Sequence, residues 1–218
     1  MKTVFLDHVR SKLALHELRG GEGRPLLVLH GLGEESPSTV PMNLQQWAGP
    51  IFALDFTGHG ASSVPLGGGY TCEALMSDAD AALAEIGPLT LMGFGLGGYV
   101  GLLLFGSRPK EINGLIVSDG PGLDGGGGKP TSPQLLHVQP SDLNGSTPDP
   151  WALRELASDV RPPEYAADHL RQVNALAGFD TAIVVASLGR PEWLSAIIQS
   201  PVVIEADIAT GLSTFSSP

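Results

Sequence analysis

Short, unbroken apolar runs set the strongest limit on how this chain folds. They are Pro25–His30 (PLLVLH), Ile51–Asp55 (IFALD), Leu89–Met92 (LTLM), Ile112–Ser118 (INGLIVS), Thr181–Ala186 (TAIVVA) and Pro201–Glu205 (PVVIE). A strand with one wet face alternates apolar and polar residues; a strand covered on both faces does not. Helical patterns lie between the runs. Thr71 is placed to cap a helix whose positions Cys72, Leu75, Met76, Ala79, Leu83 and Ile86 follow three-four spacing, ended by Gly87-Pro88. Leu96–Phe105 is apolar nearly all round, as a helix buried on a sheet would be. Asp149-Pro150 opens another helix that Arg161-Pro162-Pro163 stops, and Glu164–Ala177 is a third, closed by Gly178. Thr3–Val9 and Lys12–Leu18 read as a hairpin. Strand and helix alternating through short links predict an α/β, doubly wound, mostly parallel sheet.

Residues 121–148 break the alternation. They hold Gly125–Gly128 in succession and Pro130, Pro133, Pro140 and Pro148. A link of this length in a compact domain is functional or mobile. Residues 121–178 are therefore expected to leave the sheet as a small helical lid with a glycine-rich loop. Residues 1–120 and 179–218 form the core, and 218 residues suffice to bury it.

Composition narrows the function classes. With 42% hydrophobic and 16% charged residues the chain reads as globular. A net charge of −11 argues against nucleic acid and anionic membrane as partners. The start of the chain carries Asp7 and Arg10 where a signal peptide needs apolar residues. One cysteine, Cys72, permits neither an internal disulfide nor a cysteine metal site, so a cytoplasmic setting is expected. No spacing of His, Asp and Glu suggests a metal, and no cofactor is implied.

Three glycine motifs follow successive apolar runs. His30-Gly31-Leu32-Gly33 can turn backbone N–H groups toward a ligand. Asp55-Phe56-Thr57-Gly58-His59-Gly60 permits a tight turn, or is simply a loop with its own hydrogen bonds. Gly93-Phe94-Gly95-Leu96-Gly97-Gly98 lies between a run and an apolar helix, the setting of a nucleophile elbow. A dinucleotide-type glycine turn fits it poorly, because Asp119 is the nearest acidic residue to end the next strand.

In this order and spacing the motifs resemble the α/β-hydrolase fold, over about residues 3–207. The resemblance implies a lid inserted after the sixth strand and a pocket at the strands' carboxyl ends. It implies an oxyanion hole built from the Leu32 and Leu96 N–H groups. Gly31 in the first glycine motif and Trp151 on the lid helix are further candidate ligand contacts.

The sequence departs from that family where the chemistry should be. The elbow position for a nucleophile is Gly95, which has no side chain to attack with. The general base should follow the last strand, near Ala206-Asp207-Ile208, yet no histidine lies beyond His169. The acid should follow Thr181–Ala186, where Ser187-Leu188-Gly189-Arg190-Pro191 offers none; Asp119, one strand earlier, is the substitute. A non-hydrolytic small-molecule binder is the expectation. Its ligand can be anionic, since the start of the Leu96 helix should present orphan N–H groups and Gly95 should leave extra room there. The alternatives are a lyase, isomerase or cyclase using the oxyanion hole with Asp119 or His30 as proton carrier, or a hydrolase whose nucleophile was changed to Gly95. The duller readings stay beside these. His30 and His59 can shape loops, Asp119 can cap a turn, and Cys72 and the tryptophans Trp47, Trp151 and Trp193 can pack. Asp149, Glu155, Asp159, Glu164 and Asp168 can form a solvated face of the lid.

Overall fold

The structure, a computed structural model, describes residues 1–9, 11–126 and 145–216. The expected glycine-rich loop lies outside the described residues from 127 to 144. Among the described residues eight strands form one sheet: β1 (Lys2–His8), β2 (Ser11–Arg19), β3 (Leu26–Leu29), β4 (Ile51–Leu54), β5 (Leu89–Phe94), β6 (Ile112–Ser118), β7 (Ile183–Ala186) and β8 (Val203–Glu205). Their spatial order is β1-β2-β4-β3-β5-β6-β7-β8. The first hairpin is antiparallel and β2 pairs antiparallel with β4, while every later pairing is parallel. The expected α/β, mostly parallel sheet is thus found, strand for strand.

Among the described residues six α-helices flank it: α1 (Cys72–Ile86), α2 (Leu96–Ser107), α3 (Pro150–Ser158), α4 (Pro163–Leu176), α5 (Glu192–Ile198) and α6 (Ile208–Phe215). The period of two along each strand divides the core. Leu27, Leu29, Leu91, Leu115, Val117, Ile183 and Val185 face α1, α2, α4 and α5. Leu26, Val28, Met92, Ile116 and Val184 face α6 and the short 3-10 turn Met42–Leu44 on the other side. Each fully buried Leu or Val on these strands contributes about 1.5–3 kcal/mol. That two-sided burial is why the runs are unbroken.

Local signals place the helices. Thr71 Oγ1 accepts the Ala74 N–H at 3.1 Å and starts α1, and Asp149 caps α3 through the Trp151 N–H at 3.2 Å. Helix α2 is buried along almost its whole length. Among the described residues no helix is long and apolar enough to cross a membrane.

The acidic face of the excursion is not solvated as expected. Asp149 is 3% exposed and accepts the Tyr70 hydroxyl at 2.6 Å. Glu155 Oε2 accepts the N–H groups of Gly69 and Tyr70, each at 2.7 Å, and Asp159 accepts the Cys72 N–H at 2.8 Å. These carboxylates moor α3 to the segment that leads into α1. Glu164 and Asp168 do face solvent.

Candidate functional site

The carboxyl ends of β3, β5 and β6 meet at one place. There β3 gives way to the His30–Gly33 loop, β5 turns through Gly95 into α2, and β6 runs into Asp119-Gly120-Pro121-Gly122. Gly95 caps α2 at φ +53°, a conformation that disfavours any side chain. The expected room beside it does not exist. A Cβ on Gly95 would lie 2.2 Å from the Pro121 carbonyl oxygen and 2.5 Å from the Gly120 carbonyl carbon. Main chain, not open space, fills the position.

The Pro121 carbonyl oxygen also accepts two N–H groups at once, from Leu32 at 2.9 Å and from Leu96 at 3.0 Å. These are the two donors that the resemblance assigns to an oxyanion hole. The expected orphan N–H groups are absent from the neighbouring positions as well. Gly31 N–H donates to Glu34 Oε2 at 3.1 Å, Gly33 N–H to His59 Nε2 at 3.3 Å, and Glu34 N–H to the Gly31 carbonyl at 3.2 Å. Gly95 N–H donates to the Ser118 carbonyl at 3.0 Å, and Gly98 N–H to the Gly95 carbonyl at 3.0 Å. A buried N–H must find an acceptor, and the Leu32, Leu96, Gly31, Gly33, Gly95 and Gly98 N–H groups each find one within the chain.

Pro121 is held there by its neighbours. The Arg161 guanidinium donates through Nη1 to the carbonyls of Gly122 and Leu123, and the Trp193 indole N–H donates to Leu123 O at 2.9 Å. Gly122, at φ +74°, brings the segment flat against the loop and α2: a Cβ there would meet Leu32 Cβ at 2.6 Å and Leu96 Cβ at 3.3 Å. Arg161 is 4% exposed, with its guanidinium carbon 5.1 Å from the centre of the Tyr99 ring. Its Nε and Nη2 are buried without a hydrogen-bond partner among the described residues.

The proton carriers proposed from the sequence are engaged elsewhere. His30 is 3% exposed; its Nδ1 lies 2.7 Å from the Gly31 carbonyl and its Nε2 accepts the Phe56 N–H at 3.2 Å. That pattern fixes the neutral tautomer with the proton on Nδ1. Burial first, then the nearby His59, pull its pKa down to about 4. His59 is fully buried, and burial lowers its pKa too. Asp119 faces solvent, and its carboxylate caps the turn after β7. It accepts the Ser187 hydroxyl at 2.5 Å and the N–H groups of Leu188 and Gly189 at 2.8 and 3.0 Å. Its partial burial acts to raise the pKa, but these donors and Arg190 outweigh it and hold the carboxyl below the usual range. The burial-raised pKa that a general base would exploit is therefore not found.

A cleft of about 430 Å³ opens beside this segment, lined by Leu32, Asp119, Gly122, Leu123, Asp124 and Ala157 among others. Leu32 and Asp119 are thus brought to it. Trp151 is not in its lining: it packs half-buried against the main core, with the Arg154 guanidinium over its ring. Helix α3 contributes Ala157 instead. Trp47 and Trp193 are buried, and Cys72 is 1% exposed, its thiol pushed up by burial. The charged groups of the cleft's described lining are the carboxylates Asp119 and Asp124.

Pro121, Arg161 and Asp124 escaped sequence reasoning. Arg161 reads there as part of a helix stop, and Pro121 acts through a main-chain atom that every residue possesses.

The fold has close counterparts among solved structures. The haloalkane dehalogenase DatA from Agrobacterium tumefaciens C58 superposes with a TM-score of 0.64 at 18% identity, over 94% of this chain and 87% of that one. The thioesterase domain from the curacin biosynthetic pathway gives 0.61 at 15% identity, over 99% and 97%. A thermophilic esterase from Thermogutta terrifontis gives 0.56 at 17%, over 94% and 89%. At these identities the likeness is one of fold. A search of curated proteins finds no match. The model of the alpha/beta hydrolase family matches residues 26–208, which is most of the chain and spans all three glycine motifs. The chain therefore belongs to the alpha/beta hydrolase family.

Proposed function

We propose that this chain is a non-hydrolytic member of its family that binds a small molecule at the carboxyl ends of the strands. One observation carries the reading: the Pro121 carbonyl takes both the Leu32 and Leu96 N–H groups, beside a Gly95 that has no side chain. Acyl transfer needs a nucleophile and donors aimed at the developing oxyanion. Here the position of the first is a glycine and the donors of the second are engaged. The absence of any histidine after His169 supports the same reading. A lyase, isomerase or cyclase would need a proton carrier. His30, with both ring nitrogens already bonded, and Asp119, whose carboxylate already accepts three donors, argue against that alternative. With a net charge of −11 and a single cysteine, buried in the core, the working assignment is a cytoplasmic small-molecule binder that avoids polyanions.

Hydrolysis of p-nitrophenyl acetate and butyrate tests this, with the unchanged chain beside Gly95→Ser and Asp119→Ala. The expected result is no turnover above the buffer rate for any of the three. Saturable turnover by the unchanged chain would overturn the proposal. Turnover by Gly95→Ser alone would show an ordinary hydrolase with one lesion.

A further inference from the structure

The segment Gly120–Leu123 contributes three successive carbonyl groups that each meet donors the fold supplies. Pro121 O takes the Leu32 and Leu96 N–H groups at 2.9 and 3.0 Å. Gly122 O takes Arg161, and Leu123 O takes both Arg161 at 2.5 Å and Trp193 Nε1–H at 2.9 Å. The receptor is therefore made of donors only: two backbone N–H groups, an indole and a guanidinium. Its ligand is a piece of the chain's own backbone.

We propose that Gly120–Leu123 is an internal pseudo-ligand, and that a small carboxylate-bearing molecule takes its place when the segment swings out. This rests on the non-hydrolytic reading and names the ligand class for that site. Two features point to a carboxylate rather than another neutral carbonyl. Arg161 is a 4% exposed cation whose acceptors here are uncharged carbonyls, and its Nε and Nη2 are buried with no acceptor among the described residues. Nε with one terminal nitrogen is the edge of a guanidinium that grips a carboxylate with two parallel bonds. The segment's close fit depends on Gly122, which lies against Leu32 and Leu96 with no room for a Cβ, and its outer side borders the 430 Å³ cleft, which gives a ligand an approach to the same donors. Asp119, fixed to Leu188 and Gly189, forms the stationary end of the hinge.

Such a device follows population-shift arithmetic. A ligand that binds only the open form has its affinity reduced by the fraction of molecules that are open. Loosening the segment should therefore tighten binding, which no ordinary loss of contacts does.

The test uses the full chain labelled with 15N, titrated with sodium acetate, butyrate and hexanoate, and in parallel with the matching primary amides. Amide signals of Leu32 and Leu96 are followed. The expected result is that Gly122→Ala binds a carboxylate about tenfold or more tightly than the unchanged chain, with both signals moving. The amides should bind worse, and Arg161→Met should erase the preference for carboxylate over amide. Should Gly122→Ala fail to fold, Trp193→Phe removes the donor to Leu123, together with part of a buried ring that packs on Tyr99, and carries the same expectation. The proposal is overturned if neither loosened variant binds a carboxylate more tightly than the unchanged chain, if Leu32 and Leu96 do not respond, or if Arg161→Met leaves the preference intact. Ester turnover by the unchanged chain would sink the non-hydrolytic reading separately, since these titrations contain nothing to hydrolyse.

Discussion

The Pro121 carbonyl oxygen lies 3.0 Å from the Leu96 amide nitrogen, at the first turn of the buried helix α2. A helix start is where a folded chain most readily offers donors and positive potential to a ligand. In this protein the offer is taken up by the chain 25 residues downstream (Leu96 to Pro121). The fold keeps the shape of a hydrolase site while the Leu32 and Leu96 donors are already engaged.

A first prediction concerns Gly95. Alanine there must adopt φ +53° and place a Cβ 2.2 Å from the Pro121 carbonyl oxygen. Left-handed strain costs about 1–3 kcal/mol, and forced overlap in a packed site costs about 1–3 kcal/mol more. Gly95→Ala is expected to lower the thermal midpoint by about 4–24 °C, or to expel the Gly120–Leu123 segment. Circular dichroism melts, with amide exchange at Leu32 as the marker of expulsion, distinguish these. An unchanged melt together with an unchanged Leu32 amide would contradict the crowding described here.

Asp119 gives a second. Its carboxylate ties the end of β6 to the turn after β7 through Ser187, Leu188 and Gly189. Because the folded pKa is depressed, the stability it adds is present above the unfolded value near 3.9 and is lost as pH falls through the folded value. The group faces solvent, so screening reduces the effect to about 1 kcal/mol. Asp119→Asn should destabilise by about that much in urea at pH 7, and the gap should shrink as pH falls below the unfolded value near 3.9. A gap that does not shrink at all as the pH is lowered below that value would mean the carboxylate's charge is irrelevant.

How much of this was legible in the sequence depends on where each interaction's partners lie. Thr71, Gly87 and the three-four spacing of α1 are local signals, and that helix appears within its expected bounds. The buried strands were equally plain, because burial on two faces writes itself into consecutive residues. Helix α6 was missed although its signal was present: Asp207 accepts the Thr210 N–H at 2.8 Å as a helix cap, yet the stretch reads first as a place for a missing histidine. The moorings of α3 were illegible for a different reason. Glu155 bonds main-chain N–H groups of Gly69 and Tyr70, more than 80 residues away, and no periodicity encodes such a partner. The occupied donors at Leu32 and Leu96 were the least legible of all, since a carbonyl oxygen is common to every residue.

Tyr70 supports a third prediction. Its hydroxyl donates to Asp149 at 2.6 Å, and Asp149 is 3% exposed at the start of α3. Tyr70→Phe leaves a buried carboxylate with one fewer donor, at a cost of about 1–3 kcal/mol. Because α3 is moored through this point, the loss should appear first as faster amide exchange at Trp151 and Leu153. Uniform destabilisation without local exchange at those residues would mean that α3 does not depend on this bond.

A fourth prediction turns on groups buried with opposite effects on pH dependence. Asp78 is 3% exposed beneath the Thr57 loop, and burial pushes its pKa up to about 6 despite the Thr57 N–H and hydroxyl that it accepts at 2.8 and 3.0 Å. Between the unfolded value near 3.9 and about 6, the folded chain holds a proton at Asp78 that the unfolded chain has released. Stability from Asp78 therefore falls as pH rises through that window, by an amount on the order of 3 kcal/mol. His30 acts the other way. Its pKa of about 4 means the unfolded chain binds the extra proton between about 4 and 6.5, so stability falls as pH drops through that range, and His59 adds to it in the same direction. Two histidines against one carboxylate should leave the unchanged chain more stable at pH 7 than at pH 5. Asp78→Asn removes the opposing group and should steepen that rise, while keeping an acceptor for Thr57. Urea midpoints at half-unit steps from pH 4.5 to 7.5, for the unchanged chain and Asp78→Asn, decide it. A curve in the variant parallel to that of the unchanged chain would mean that Asp78 is ionised throughout and that its burial is offset by the Thr57 hydrogen bonds and His8, which lies 3.8 Å away.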